Sequence, residues 1–422
     1  MRNKINRRAF LHALAVLSAS TIGRKALAAP GPERRPSSWN GKIKGLGESG
    51  NVYDELGLTT VINGQGTMTY LGGSLMRPEA EAVMKLASLH FVNINDLEAA
   101  VGQRIAEMLK LPQGYSALVT SGAASAIQNG YSGILTGSNA AYIKQIPDLT
   151  GLKSEVIIQK AHHSPWNHQI RATGVKIVEV ETVDDVHHAI SERTAAMHFL
   201  NLADPNGQIK REDWLKLAHA AKLPAFIDAA ADTPPKSHLW DYANMGYDLI
   251  SFSGGKAMRG PQCTGLLIGR QEMISNALLN MSPNEDTLGR PTKVGKEEII
   301  GMLKTLELYL AEDEQELANQ QWKQLDTIGN RVSKIPGVTV TRHVPEIANN
   351  FPTIQIHLDP SKFSIDAGQV NRQLASMKPS IVLGGGGHHG NGSIGITAIV
   401  LQPGQDRIIA DALSKVLREH QV

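Results

Sequence analysis

Residues 249–265, LISFSGGKAMRGPQCTG, open as a short apolar run of β character and break at Gly254-Gly255. They present one lysine, Lys256, turn again through Gly260-Pro261, and resume as a second apolar run from Gly265 to Ile268. Two readings are open. Lys256 is either a turn residue between hairpin-like strands, or a reactive amine, because burial lowers an ammonium's pKa and exposes a nucleophilic nitrogen. The rest of the chain has to decide between them.

Upstream, short apolar strands alternate with helix-length segments. Strands are predicted at 116–120, 155–159, 176–180, 195–200, 224–228, 249–253 and 264–268. Six are separated by enough chain for a helical crossover, which implies an α/β fold with a mainly parallel seven-stranded sheet covered on both faces. The seventh follows too closely, so it runs antiparallel to its neighbour or lies at the edge. Ahead of the sheet, Val61–Gly64 reads as a short strand. Helices are expected from Arg77-Pro78 to about His90 and from caps at Asn95-Asp96 onward. Beyond Pro291 the pattern changes to long helices at 296–313 and 315–334. Strands near 338–342, 353–358, 380–383 and 394–399 and a closing helix at 405–419 then form a smaller α+β domain. The expected division is 56–290 for the large domain and 291–422 for the small one.

The N-terminus reads differently. Asn6-Arg7-Arg8-Ala9-Phe10-Leu11, a moderately apolar run to Ile22, and Ala26-Leu27-Ala28 resemble a twin-arginine export signal occupying 1–28, with 29–55 as an arm or linker. The run is short and contains His12, Ser18, Ser20 and Thr21, so no stable membrane span is expected. The implied location is periplasmic or exported through the twin-arginine (Tat) machinery. Losing residues 1–28 removes six basic residues and no acidic one, taking the formal charge from +2 to −4. A mildly acidic mature chain argues against a broad nucleic-acid footprint. The single cysteine, Cys263, excludes an intramolecular disulfide and a multi-cysteine zinc site. It reads as packed in the hairpin rather than nucleophilic.

In a parallel sheet, ligands sit at the carboxyl ends of the strands. After the first strand, Ser121-Gly122-Ala123 opens a helix whose amides suit a phosphate. After the second come His162, His163 and His168, which accompany no carboxylate or cysteine at metal-ligand spacing and offer an imidazole plate for a flat ring. Asn201–Gly207 after the fourth reads as a turn-rich loop. Asp228 ends the fifth strand, where a carboxylate is costly without a cationic partner. Lys256 follows the sixth, 28 residues later. In this order the parts match the needs of pyridoxal phosphate: a helix end for the phosphate, a carboxylate for the pyridine nitrogen and a lysine for the Schiff base.

Several segments carry a family resemblance: VINGQGT, LVTSGAASA, FIDAAAD, SFSGGKAMRGPQCTGLLIGR, GRPTKVGKEEIIGML and GITAIVLQPGQDRIIADAL. The chain resembles fold-type I pyridoxal-phosphate enzymes of the selenocysteine synthase-related group, in particular the D-glucosaminate-6-phosphate ammonia-lyase-like proteins. The likeness spans about 51–420. It implies Lys256 as the Schiff-base lysine, Asp228 at the pyridine nitrogen, and Ser121, Gly122 and Ala123 on the phosphate, with Ser253 beside them. It places the ring-stacking histidine at His162 or His163, with His162 favoured. Gly260, Pro261 and Gln262 match the turn beyond the lysine, and Arg290 and Lys293 match an interdomain segment suited to an anionic group. His163 is a further substrate candidate. A homodimer or larger homo-oligomer is also implied. The leader and the GGGGHHGNG loop at 384–392 depart from the cytosolic members.

The expected activity is a lyase that eliminates across the α,β bond of an amino acid or amino sugar acid, releasing ammonia and a 2-keto product. The same apparatus also supports transamination, racemisation or aldol cleavage. Two other readings are a selenium transferase acting on seryl-tRNA and an exported binding protein that keeps the fold without catalysis. The acidic mature chain and the export signal weigh against the first, and the presence of both Asp228 and Lys256 against the second.

Overall fold

The structure is a computed structural model that describes residues 50–385 and 392–422; the leader and most of the linker, and His388 and His389 of the glycine-rich loop, lie outside the described residues. Residues up to Thr60 form one unit, described here only as a short helix, Val52–Glu55, capped by Asn51. Residues 61–422 form the other. Among the described residues, no helix is long and apolar enough to cross a membrane.

Within 61–422 the strands are β1 Val61–Gly64, β2 Tyr115–Thr120, β3 Glu155–Gln159, β4 Lys176–Val180, β5 Thr194–Leu200, β6 Ala225–Asp228 and β7 Leu249–Ser253, followed by β8 Gly265–Arg270, β9 Val338–His343, β10 Thr353–Leu358, β11 Ser380–Gly385 and β12 Ile394–Thr397. Helices of eight or more residues are α1 Pro78–Ala87, α2 Ile94–Leu109, α3 Gly122–Thr136, α4 Arg211–Ala220, α5 His238–Met245 and α6 Gln271–Leu279, then α7 Lys296–Ala311, α8 Glu314–Val332, α9 Ala367–Ala375 and α10 Gln405–Glu419.

The large sheet has the order β2-β8-β7-β6-β5-β3-β4. Every residue of β3, β5 and β6 is buried, which is why these strands read as unbroken apolar runs rather than alternating ones. The predicted antiparallel strand is β8. It lies inside the sheet, between β2 and β7, because the short Lys256 loop returns the chain beside β7 and leaves β2 to pair on its far side. The free edge of β2 is closed by α2. Gly102 allows that approach, since a Cβ there would stand 2.2 Å from Ala117 O, and Glu98 Oε2 accepts the Val119 N–H at 3.0 Å. The helix starts at Ile94 with Asn93 as its cap, ahead of the expected Asn95-Asp96, because the Asn93 side chain already accepts from both of their amides.

The second sheet has the order β1-β11-β12-β10-β9. Its first strand departs from the expected division into 56–290 and 291–422: β1 pairs in parallel with β11, and Ile62 belongs to the small core. The shift is matched by α7, whose Ile299, Met302, Leu306 and Tyr309 are buried in the large core. Thus the large core keeps the helix assigned by sequence to the small domain, and the small core recruits a strand from before the large one. Its own helices α8 and α10 supply Leu325, Ile328, Ile409, Leu413 and Leu417.

Candidate active site

Strand register assembles the site. Thr120, at the end of β2, pairs with Gly265, and Gly265 pairs with Ser253 at the end of β7. Asp228, the last residue of β6, pairs with Ser251 on one side and Leu200 on the other. The first turn of α3, the Lys256 loop and Asp228 therefore share the carboxyl edge of adjoining strands.

Close backbone packing holds the Lys256 loop. The Gly254 N–H donates to Thr264 O (2.8 Å), the Gly260 N–H to Gly254 O (2.9 Å), and the Arg259 N–H to Lys256 O (2.9 Å). A Cβ at Gly254 would stand 2.3 Å from Thr264 Oγ1, and one at Gly255 would stand 2.7 Å from the Gln262 backbone. With its amide nitrogen turned toward the carbonyls, Gln262 donates to Gly255 O (3.1 Å) and Gly72 O (3.2 Å). An outer strap, not foreseen from sequence, adds Ser74 Oγ on Gly255 O (3.0 Å) and Arg77 Nε on Met258 O (2.9 Å). Arg77 is itself paired with Glu312.

The Lys256 amine forms no hydrogen bond and no ion pair among the described residues. Burial lowers its pKa below the ordinary lysine value, opposed by the negative charges of Asp228 and Asp232. Asp228 is buried, and burial raises its carboxyl. Among the described residues its two side-chain hydrogen bonds, from Ala230 N–H (3.0 Å) and Ser251 Oγ (3.3 Å), both fall on Oδ1, leaving Oδ2 for another donor. At α3, Ser121 makes no side-chain capping bond, so the opening amides of a 15-residue helix stay uncapped. A Cβ at Gly265 would stand 2.5 Å from Gly122 C and 2.7 Å from Ala123 N, so only glycine lets β8 lie against that helix end.

Three observations thus fit pyridoxal phosphate: an uncapped helix end suits a phosphate, an unbonded carboxylate oxygen suits a pyridinium N–H, and a desolvated, unpaired amine suits an aldehyde. Ser121, Gly122, Ala123, Asp228, Ser253 and Lys256 all belong to this edge. The other proposed residues are placed elsewhere. His162 has no accessible surface; its Nδ1 accepts the Leu200 N–H (3.2 Å), and its ring meets Phe199 edge-on with centroids 4.5 Å apart. Its ring is thus packed inside the wall formed with β5. Burial, with Lys210 nearby, holds its pKa down to about 4, so it is a neutral wall residue. His163 is at the surface, its Nδ1 2.5 Å from Glu179. Arg290 donates to Ser282 Oγ (3.2 Å) and Lys293 is exposed; neither bonds to Lys256 or Asp228. Their segment meets α3 at Gln128 and Asn129, beyond its first turn. Cys263 is exposed rather than packed.

Sequence reasoning missed Asp232, the second carboxylate of FIDAAAD, which is 1% exposed. Its Oδ2 accepts from Asn201 Nδ2 (2.8 Å) and from Tyr242 Oη (2.9 Å), and burial raises it to about 7. The Asn201 loop, read from sequence as a turn, is therefore part of the site's wall. An aspartate ending an alanine run after a buried strand was the available signal.

The chain is similar to several known proteins. The family model for aminotransferase class-V matches residues 92–358. The D-glucosaminate-6-phosphate ammonia lyase of Salmonella typhimurium is 28% identical over 335 residues, covering 77% of this chain and 86% of that protein. The 5'-C-glycyluridine monooxygenase-decarboxylase of a Streptomyces species is 24% identical, covering 87% and 92%. The L-seryl-tRNA(Sec) selenium transferase of Nitratidesulfovibrio vulgaris is also 24% identical, over 59% and 55%. The solved structure of D-glucosaminate-6-phosphate ammonia-lyase superposes with a TM-score of 0.75 at 26% identity, covering 88% of this chain and 99% of that one.

Proposed function

Because the chain belongs to the aminotransferase class-V family and its cofactor is pyridoxal 5'-phosphate, we propose that it is a lyase. Its substrate class is a 2-amino acid or amino sugar acid bearing a β-hydroxyl, which it converts to the 2-keto-3-deoxy acid and ammonia. The observation that carries this reading is the Lys256 amine, desolvated and without a hydrogen bond or ion pair at the strand edge it shares with Asp228 and the end of α3. The likeness to an amino sugar acid ammonia lyase supports the substrate class.

When bound, the cofactor supplies an aldehyde that condenses with amines and a ring that accepts electrons. The amides at Gly122 and Ala123 would hold the phosphate, and Asp228, through its Oδ2, would keep a proton on the ring nitrogen. Lys256 Nζ is the base for the substrate's α-carbon. Because its pKa lies below the ordinary lysine value, more of it is unprotonated at a given pH. The test is a screen of purified protein with pyridoxal phosphate against 2-amino-3-hydroxy acids and amino sugar acids, scoring ammonia and 2-keto acid. Lys256→Ala is expected to lose the visible cofactor absorbance and the turnover; retention of both defeats the assignment.

The selenium-transferase likeness supports the competing reading, which a gel shift with seryl-tRNA tests directly: a complex there displaces the lyase. Homo-oligomerisation is supported by the exposed apolar side chains Leu75, Leu86, Leu89, Phe91 and Val92, and light scattering showing a monomer refutes it. The twin-arginine pattern supports export, and a reporter fused after residue 35 that stays in the cytoplasm refutes that.

A further inference from the structure

The Lys256 loop is not held by local preference alone. Arg259 sits at φ 62°, in the left-handed region that a residue with a Cβ rarely adopts. The segment ahead of α1 grips the loop from outside. Ser74 Oγ donates to Gly255 O (3.0 Å), the Arg77 N–H to Arg259 O (3.2 Å) and Arg77 Nε to Met258 O (2.9 Å), while Arg259 Nε donates back to Leu75 O (3.1 Å). Met258 is fully buried and stands two residues from the lysine.

Arg77 has the longest arm of this grip, and a flexible guanidinium has to be aimed. Its Nη2 donates to Glu312 Oε2 (2.9 Å) and its Nη1 to Glu312 Oε1, a two-pronged pair that fixes the plane of the guanidinium and so the direction of Nε. Arg77 is only 7% exposed, and a buried ion pair is a costly way to gain stability; what this one supplies is direction. Glu312 is fixed in turn. It is the extended residue between α7, packed in the large core, and α8, packed in the small one. Lys236 Nζ donates to Glu312 O (2.7 Å) and Leu310 O (3.0 Å), and the Lys236 N–H donates to Glu314 Oε1 (2.7 Å). Lys236 belongs to the loop that follows Asp228.

We propose that Glu312 is a positioning residue for Lys256: by aiming Arg77 at the Met258 carbonyl, it ties the Lys256 loop to the junction where the chain passes from the large core to the small one. This rests on Lys256 being the reactive amine of the proposed enzyme. Glu312 makes no hydrogen bond to residues 254–264 among the described residues, so its effect on the loop runs through Arg77. Lys236 ties the loop after Asp228 to the same junction, which gives the two sides of the site one common anchor.

The experiment is amide hydrogen exchange of the full-length protein without added cofactor, read by peptide mass spectrometry. Glu312→Ala is expected to speed exchange by about tenfold at 254–260, where the Gly254, Arg259 and Gly260 amides donate hydrogen bonds, and to leave 155–159 of β3 unchanged. In an Arg77→Ala background the same substitution is expected to add less than about twofold, because the group it acts through is gone. Glu312→Gln keeps one acceptor for Arg77 and is expected to fall between wild type and Glu312→Ala; should Glu312→Ala fail to fold, it takes that variant's place throughout. In protein loaded with pyridoxal phosphate, the visible circular dichroism per unit absorbance reports how the chromophore is held. It is expected to shift in Glu312→Ala and to move back toward wild type in Glu312→Gln. Exchange that rises only at 310–316, or equally across the chain, or that adds fully to the effect of Arg77→Ala, overturns the inference, as does dichroism identical in all three proteins. Because the exchange needs no cofactor, that failure is separate from failure of the functional reading, which shows instead as wild-type protein gaining no visible absorbance with pyridoxal phosphate.

Discussion

Replacing Gly265 by alanine tests whether the end of α3 holds the cofactor's phosphate. The added Cβ meets Gly122 C at 2.5 Å and Ala123 N at 2.7 Å on one side, and Phe252 O at 2.8 Å on the other. Against an ordinary contact of 3.4 Å the shortfall is about 0.7–0.9 Å toward the helix, and backbone borders both sides, so no flexible side chain absorbs it. Moving the helix end by that amount stretches an N–H···O bond of about 2.9 Å to roughly 3.6 Å, beyond effective hydrogen bonding. Two charge-assisted bonds at about 1.5 kcal/mol each amount to about 3 kcal/mol, or on the order of 100-fold in affinity. Strain in the fold is expected to cost a further 1–3 kcal/mol or so of stability. The assay is titration of cofactor-free protein with pyridoxal phosphate, followed by visible absorbance, alongside a thermal melt. A folded Gly265→Ala protein that binds within about threefold of wild type refutes the helix-end phosphate site.

Glu98 makes stability fall with pH. Burial raises it to about 8 from an unfolded value near 4.5, so its contribution is fully present below about pH 4.5 and is lost as pH rises through about 8, up to roughly 5 kcal/mol in all. Glu98→Gln keeps an acceptor for the Val119 N–H and is expected to flatten the profile; urea midpoints that run parallel to wild type from pH 5 to 8 count against this. Arg77→Ala leaves Glu312 unpaired and the Met258 carbonyl without its donor. A loss of about 3 kcal/mol in urea denaturation is expected, and a loss under about 0.5 kcal/mol shows the strap to be dispensable. Asp228→Asn should retain cofactor through the phosphate site but lose roughly 100-fold or more in turnover; turnover within fivefold of wild type contradicts its role at the ring nitrogen.

The parts of the site encoded locally were legible before any coordinates. Gly254-Gly255 and Gly260-Pro261 are turn chemistry, the apolar runs ending at Asp228 and Ser253 mark buried strands, and Ser121-Gly122-Ala123 marks a helix start, so the positions of Lys256 and Asp228 at strand ends follow from short-range pattern, while joining them into one site took the order of the whole chain. The same holds for most element positions, including β3, β4, β7, β10 and α10, whose bounds agree with the expected ones. Tertiary structure alone decided the rest. Val61–Gly64 reads as a strand, but its partner β11 lies across the whole large domain, and no local signal names a partner that distant. The apolar face of α7 is equally compatible with either core, and packing against α1 and α2 assigns it. Cys263 was misjudged as packed, and the depth of His162 was not foreseen, for one reason: residue type and neighbours state what a side chain can do, while its exposure depends on what other segments lay against it. Asp232 shows the same limit from the other side. Its donors, Asn201 and Tyr242, lie 31 and 10 residues away, and only the folded sheet brings them to one carboxylate.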